Sequence, residues 1–282
     1  MVLVKHFQWR KVRRNRTSGI ILITNVKNHF SWVLYVLLHP TNLKHTADAR
    51  TNNAIVPLLL SKEQLRIAND AICGEGMPDD KVAVSGPNKV TRSSMQTLKP
   101  KQWLNDEVIN YYIKICLAER DKNICSSTGR KRSYFFNSFF MQKLFDEKNS
   151  DVEKRGKFNY DQVTRWSGNN LFQMKYVFAP INLDNTHWTL AVIFMEEKRI
   201  QYYDSKWDKN KIGSHFLHGL LDYLKQEYLK IDTLHNMDTT GWMLVSRTDA
   251  DNTPWQENGE FLLQMQGVYD LVLNSTFNSV CG

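Results

Sequence analysis

His187-Trp188-Thr189-Leu190-Ala191-Val192-Ile193-Phe194, then Met195-Glu196-Glu197-Lys198, then Arg199-Ile200-Gln201-Tyr202-Tyr203-Asp204, form the most informative segment of the chain. Eight residues rich in β-branched and aromatic side chains read as a strand, four polar residues as a turn, and the last six as a second strand. Val177–Asn182, just upstream, reads as a further strand. A hairpin with Glu196-Glu197 at its tip pairs residues whose numbers sum to 393, so Asp204 falls opposite Thr189. Side chains alternate along a strand, so His187 shares the face of Thr189. His187 and Asp204 are then diagonal neighbours at the open end of the hairpin, about 7–8 Å apart at the backbone, and their side chains can meet. An imidazole held by a carboxylate is the base half of a nucleophilic triad. By itself such a pair is more often structural, and a Ser or Cys nucleophile and an oxyanion donor must come from elsewhere in the chain.

Outward from the hairpin, the segments before it read as helices and connectors. A short helix opens at Ser61-Lys62-Glu63-Gln64, capped by Ser61, and stops at Gly74, Gly76 and Pro78. Lys81–Pro100 is expected to be an extended connector. Asn105 is placed to cap the next helix, with Asp106 and Glu107 in the first turn, where the helix dipole favours acids. Val108, Ile109, Tyr112, Ile113 and Cys116 follow at helical spacing, which makes Cys116 a core residue. A short helix is expected at Tyr160–Trp166, an amphipathic one at Ser214–Leu229, a strand at Gly241–Arg247 and a turn at Pro254–Gly259.

Charge and cysteine usage narrow the function classes. The chain carries a net charge of +8. Residues 1–50 hold nine Lys or Arg and a single acid, Asp48, so the whole excess lies in this arm and the remaining 232 residues sum to zero. A basic tail of this kind is a solvated or targeting arm, and no nucleic-acid partner is expected. Residues 1–55 form the arm and 56–282 the folded domain. The most apolar stretch, Ile20–Leu38, is broken by Asn25, Lys27, Asn28 and His29; the clean run Phe30–Leu38 is too short to span a bilayer, and no membrane association is expected. Cys73, Cys116, Cys125 and Cys281 show no CxxC spacing, which argues against a zinc site or a disulfide framework and fits a reducing compartment, nucleus or cytoplasm. His215 and His218, three apart on a helix, read as an exposed face rather than a metal pair.

Ordered motifs across the domain resemble the Ulp/SENP family of SUMO-deconjugating cysteine proteases. Gln102-Trp103-Leu104-Asn105-Asp106-Glu107 resembles its WLND segment, preceded by Thr97-Leu98. Phe135-Phe136-Asn137-Ser138-Phe139-Phe140, Arg165-Trp166, Phe178-Ala179-Pro180-Ile181-Asn182, His187-Trp188 and Tyr203-Asp204-Ser205 come next, in the family's order. Gln256-Glu257-Asn258-Gly259 resembles the QxNG that carries the oxyanion Gln. The resemblance implies a papain-like α+β fold, a central mixed sheet flanked by helices, acting as a monomer without cofactor or metal on SUMO and SUMO-conjugated proteins, with cleavage after Gly-Gly. It makes His187 the base, Asp204 its orienting partner and Gln256 the oxyanion donor. It sets Trp103, Asn105, Asp106 and Trp188 on the substrate side, the two tryptophans flattening a tunnel that only glycines pass. Trp188 is accordingly expected to be exposed on a groove. The WLND and RW segments favour SUMO over other ubiquitin-like substrates.

The pattern breaks after Gly259. The family continues with an acid, Cys and Gly; here Glu260-Phe261-Leu262-Leu263 stands instead, and Leu262 occupies the position of the thiol. Val280-Cys281-Gly282 resembles the displaced nucleophile pair, so 260–280 reads as an insertion and Cys281 as the intended nucleophile. The family's helix after that Cys is missing from this sequence, so the domain reads as truncated at its C-terminus. Impaired catalysis is therefore expected. The alternatives are a catalytically inactive SUMO-binding module and a protease for another ubiquitin-like protein.

Overall fold

The computed structural model describes residues 62–99, 102–145, 156–204 and 212–246. The arm 1–55, the cap Ser61, the turn Pro254–Gly259, the segment 260–280, Gln256 and Cys281 lie outside the described residues.

Helix α1 (Lys62–Cys73) buries Ala68, Ala71 and Ile72. Gly74 ends it, its N–H donating to Asp70 O at 2.8 Å; a Cβ at Gly74 would sit 2.4 Å from that same oxygen. The segment after it, expected as an extended connector, is folded. Lys81–Ser85 (β1) and Asn88–Thr91 (β2) form an antiparallel hairpin, and Arg92–Gln96 is a helix (α2) capped by Thr91. Gly86, with φ +58°, takes the left-handed turn that a side chain resists, while Ala83 and Val90 face the core.

Asn105 caps α3 (Asp106–Tyr111) as expected, its side-chain oxygen accepting the Val108 N–H at 3.2 Å. The helix runs on through a π-helical segment, Tyr112–Leu117, into α4 (Ala118–Thr128), which Gly129 closes at φ +71°. Ile109, Ile113, Leu117, Asp121 and Cys125 are all buried, one residue in every four. Four is wider than the 3.6 residues of an α-turn, and the π segment takes up part of the difference. Asp121, fully buried, accepts from Ser133 N and Ser133 Oγ, both at 2.8 Å, and pairs with Arg130 at 2.5 Å.

Strand β3 (Ser133–Phe135) and helix α5 (Phe139–Leu144) come next. Between Tyr160 and Trp166 the expected helix shrinks to one 3₁₀ turn, Tyr160–Gln162. The reason is a long-range anchor. Glu227, buried on a later helix, accepts from Tyr160 Oη at 2.7 Å and from Ser167 Oγ, and this pulls the chain out of helical geometry.

Strands β4 (Tyr176–Leu183), β5 (His187–Phe194) and β6 (Arg199–Tyr203), helix α6 (Ile212–Leu229) and strand β7 (Met243–Val245) complete the described chain. The sheet order is β3-β4-β5-β6-β7, with antiparallel pairs inside and a parallel pair at each edge. All eight residues of β5 are buried, because both faces of the sheet are covered. One layer packs Tyr176, Phe178, Trp188, Leu190, Val192 and Phe194 against α1 to α4 and the small hairpin. The other packs Val177, Ala179, Ala191, Ile193 and Tyr202 against α5 and α6. This is the expected α+β arrangement, a mixed sheet flanked by helices. Among the described residues, no helix is long and apolar enough to cross a membrane.

Candidate active site

The hairpin β5–β6 has the register read from the sequence, Leu190 opposite Tyr203 through Phe194 opposite Arg199, around a Met195–Lys198 turn. Continuing it sets Asp204 opposite Thr189. Upstream, Asp184 and Asn185 take left-handed backbone angles, φ +50° and +56°, which these two residue types tolerate better than most. The tight connection they make delivers His187 to the first position of β5, at one end of the sheet. There His187 Nε2 lies 2.5 Å from Asp204 Oδ1, with both side chains buried. A carboxylate oxygen accepts, so Nε2 carries the proton. Nδ1 is buried and has no hydrogen-bond partner among the described residues. The pair therefore presents Nδ1 as the nitrogen able to take a proton from a nucleophile.

Behind this pair is a residue that the sequence reading did not single out. Tyr202, two positions before Asp204 and on its face, is 3% exposed. Its hydroxyl lies 3.5 Å from Asp204 Oδ2. Burial drives its acidity far below that of a free phenol, so the hydroxyl stays a donor. The signal available was the parity of Tyr202 and Asp204 on a hairpin whose register was already in hand.

Trp188 requires a correction. It is 3% exposed, in the core rather than on a groove. Being next to His187 on a strand, it points to the opposite layer, where its Nε1 donates to Leu104 O at 2.9 Å. An indole buried in this way needs an acceptor, and the carbonyl two residues before Asp106 supplies it. Trp188 thus anchors the Trp103–Asp106 segment from beneath. Trp103 itself is 55% exposed. The Asn105 side chain is committed to structure, capping α3 and donating to Ser94 Oγ at 2.8 Å. Asp106 Oδ1 is buried with no partner among the described residues. Glu107 lies in the first turn of α3 as expected, and it makes a tie that its position alone did not indicate: it accepts from Thr91 N at 3.1 Å, from Thr91 Oγ1 at 2.9 Å and from Ser94 Oγ, joining the start of α3 to the small hairpin.

None of the described cysteines meets His187. Cys116 is a core residue as expected, and burial raises its thiol far above the usual range. Burial, aided by the neighbouring Asp121, pushes Cys125 up to about 11. Cys73 is free and exposed. Among the described residues no group of His, Cys, Asp and Glu could hold a metal ion. Gln256, Leu262 and Cys281 lie outside the described residues.

Comparison with known proteins sets this geometry in context. Residues 102–260, more than half of the chain, match the Ulp1 protease family, C-terminal catalytic domain. The chain is 30% identical over 231 residues to the putative ubiquitin-like-specific protease 1B of Arabidopsis thaliana, covering 78% of this chain and 62% of that protein. It is 37% identical over 155 residues to sentrin-specific protease 2 of Mus musculus, covering 55% of this chain and 23% of that protein. The chain therefore spans less than two thirds of the length of these relatives. The solved C-terminal Ulp1 protease domain in complex with Smt3, the yeast ortholog of SUMO, superposes with a TM-score of 0.53 at 25% identity, covering 82% of this chain and 88% of that one.

Proposed function

The chain belongs to the Ulp1 protease family, and from that premise we propose that it is a cysteine-type protease for SUMO and SUMO-conjugated proteins, cutting after Gly-Gly, whose output is impaired in this sequence. The observation that carries the reading is the His187–Asp204 pair at 2.5 Å, with Nδ1 unpartnered among the described residues.

In this reading the Cys281 thiol gives its proton to His187 Nδ1, and the thiolate attacks the carbonyl of the terminal glycine. Gln256 donates a hydrogen bond to the oxyanion. The tetrahedral species collapses to a thioester as His187, now protonated, hands its proton to the leaving amine. A water deprotonated by His187 then hydrolyses the thioester and returns the thiol. Asp204 keeps Nε2 protonated and stabilises the imidazolium. Trp103 and Asp106, at the rim above the Trp188 anchor, belong to the SUMO-facing surface. Nucleus or cytoplasm, where SUMO conjugates occur, is the proposed location, and the acting unit is a monomer.

Impairment is argued from Leu262, which stands at the thiol position, and from the apolar 261–273 segment between Gly259 and Cys281. The family match itself ends at residue 260. A fluorogenic SUMO C-terminal substrate tests both parts. Slow hydrolysis of SUMO in preference to ubiquitin, abolished by His187→Ala and by Cys281→Ala, is the expected result. Hydrolysis that survives His187→Ala, or a preference for ubiquitin, overturns the protease assignment. Rapid turnover of a SUMO precursor overturns the impairment.

Leu262 also supports a second reading, a non-catalytic SUMO-binding module using the surface around Trp103. SUMO binding lost in Trp103→Ala, with no hydrolysis by any variant, selects it.

A further inference from the structure

We propose that Tyr202 is a positioning residue for the base: its hydroxyl holds Asp204 Oδ2 so that Oδ1 stays aligned on His187 Nε2. The inference deepens the protease reading and rests on it for its significance, although its test needs no turnover.

The geometry runs as a line of buried polar groups on the α6 layer of the sheet. Tyr202 Oη is 3.5 Å from Asp204 Oδ2, and Asp204 Oδ1 is 2.5 Å from His187 Nε2. A carboxylate held through one oxygen alone can rotate about its Cβ–Cγ bond; a donor on the second oxygen removes that freedom. At 3.5 Å the Tyr202 contact is long, and its value lies in direction rather than strength. Thr189 Oγ1 is buried on the same face, directly opposite Asp204 and beside the Tyr202 hydroxyl. These two hydroxyls line the carboxylate's side of the site.

What fixes Tyr202 is packing. Its ring stacks on Phe216 of α6, with centroids 6.3 Å apart. Gly213, in the first turn of α6, makes room for it: a Cβ there would approach Tyr202 Cδ1 to 2.6 Å. No side chain fits at 213 unless the tyrosine ring moves. The absence of a Cβ on α6 is in this way part of how the carboxylate is aimed.

The test is nuclear magnetic resonance on the full 282-residue chain, tracking the His187 Nε2–H proton bonded to Asp204 and its exchange with solvent. Tyr202→Phe removes only the hydroxyl and is expected to speed this exchange roughly threefold or more, the low end of what one hydrogen bond contributes, in keeping with the 3.5 Å separation. Gly213→Ala keeps the hydroxyl but displaces the ring, and is expected to speed exchange in the same direction. Tyr203→Phe, on the opposite layer, is expected to leave the rate unchanged. Exchange within twofold of the parent chain in folded Tyr202→Phe overturns the proposal, and so does an equal effect of Tyr203→Phe. Should Tyr202→Phe fail to fold, the parent chain decides: slow deuterium exchange of the Tyr202 hydroxyl, read at its ζ-carbon, supports the proposal, and free exchange overturns it. Failure of SUMO hydrolysis strikes the protease reading and leaves these resonances untouched, so the two failures are separable.

Discussion

Replacing Trp188 with phenylalanine should cost about 3 kcal/mol of folding stability, although the residue adjoins His187, the proposed base, and the sequence reading places it at the surface. The magnitude has two parts. The substitution deletes two buried ring carbons net, about 1.5 kcal/mol at roughly 0.8 kcal/mol for each methylene-sized group. It also strips the Leu104 carbonyl of the indole N–H that reaches it at 2.9 Å. A buried acceptor left without its donor costs about 1–3 kcal/mol, and the two parts together give the figure. Equilibrium unfolding in guanidinium is the assay, with the midpoint falling and the slope unchanged. Trp103→Phe, at a position 55% exposed, should shift stability by less than about 0.5 kcal/mol. A loss below about 1 kcal/mol for Trp188→Phe, or equal losses for the two tryptophans, would refute the division into anchor and surface residue. Because the anchored carbonyl directly precedes the α3 cap, Trp188→Phe should also weaken the proposed SUMO binding while leaving the proposed contact surface around Trp103 chemically intact.

Three further outcomes are expected. Asn105→Ala removes a helix cap and the donor to Ser94 Oγ, and should lower stability by about 1–2 kcal/mol in urea unfolding; a change under about 0.3 kcal/mol would count against the capping role. Iodoacetamide at pH 8 should label Cys73 and spare Cys116 and Cys125 in the folded chain, and label all three in urea, as mass spectrometry will show. Burial holds the Cys125 thiol at about 11, so only roughly 0.1% is thiolate at pH 8, and its labelling should grow as pH rises toward that value. Deleting Phe261–Val280 brings Cys281-Gly282 directly after Glu260 and should raise capture of Cys281 by a SUMO bearing a C-terminal electrophile; no increase would count against the proposal that this segment keeps Cys281 from reacting.

The central hairpin was legible because a strong local turn, Met195–Lys198, sits between two apolar runs, and period-two geometry then fixes every facing residue. That reasoning brought His187 to Asp204 across 17 positions. It failed where the deciding partner lies far away. Parity sends Trp188 to the layer of Leu190 and Val192, but the acceptor that holds it there, Leu104 O, is 84 residues upstream. Likewise nothing local announces that Glu227 reaches back 67 residues to Tyr160 and shortens its helix. The small hairpin Lys81–Thr91 was missed for another reason. Its strands are short, half exposed and carry lysines, so the alternation is faint; Ser85-Gly86-Pro87-Asn88 was the readable turn signal.

The π-helical segment Tyr112–Leu117 acts as a phase adjuster between two jobs given to one helix. At its front end the orientation of the axis decides how Trp103 and Asp106 are presented. At its rear end Asp121 must face Ser133 and Arg130 to hold the first strand of the sheet. In a plain α-helix the angles of the two ends are locked together, each residue adding about 100°. The surplus residue of the π turn offsets one end against the other, so the presenting end can be tuned without dragging the carboxylate away from its strand. Removing one residue between 112 and 117 would reset that phase, swinging Asp121 out of register while the helix itself stayed intact.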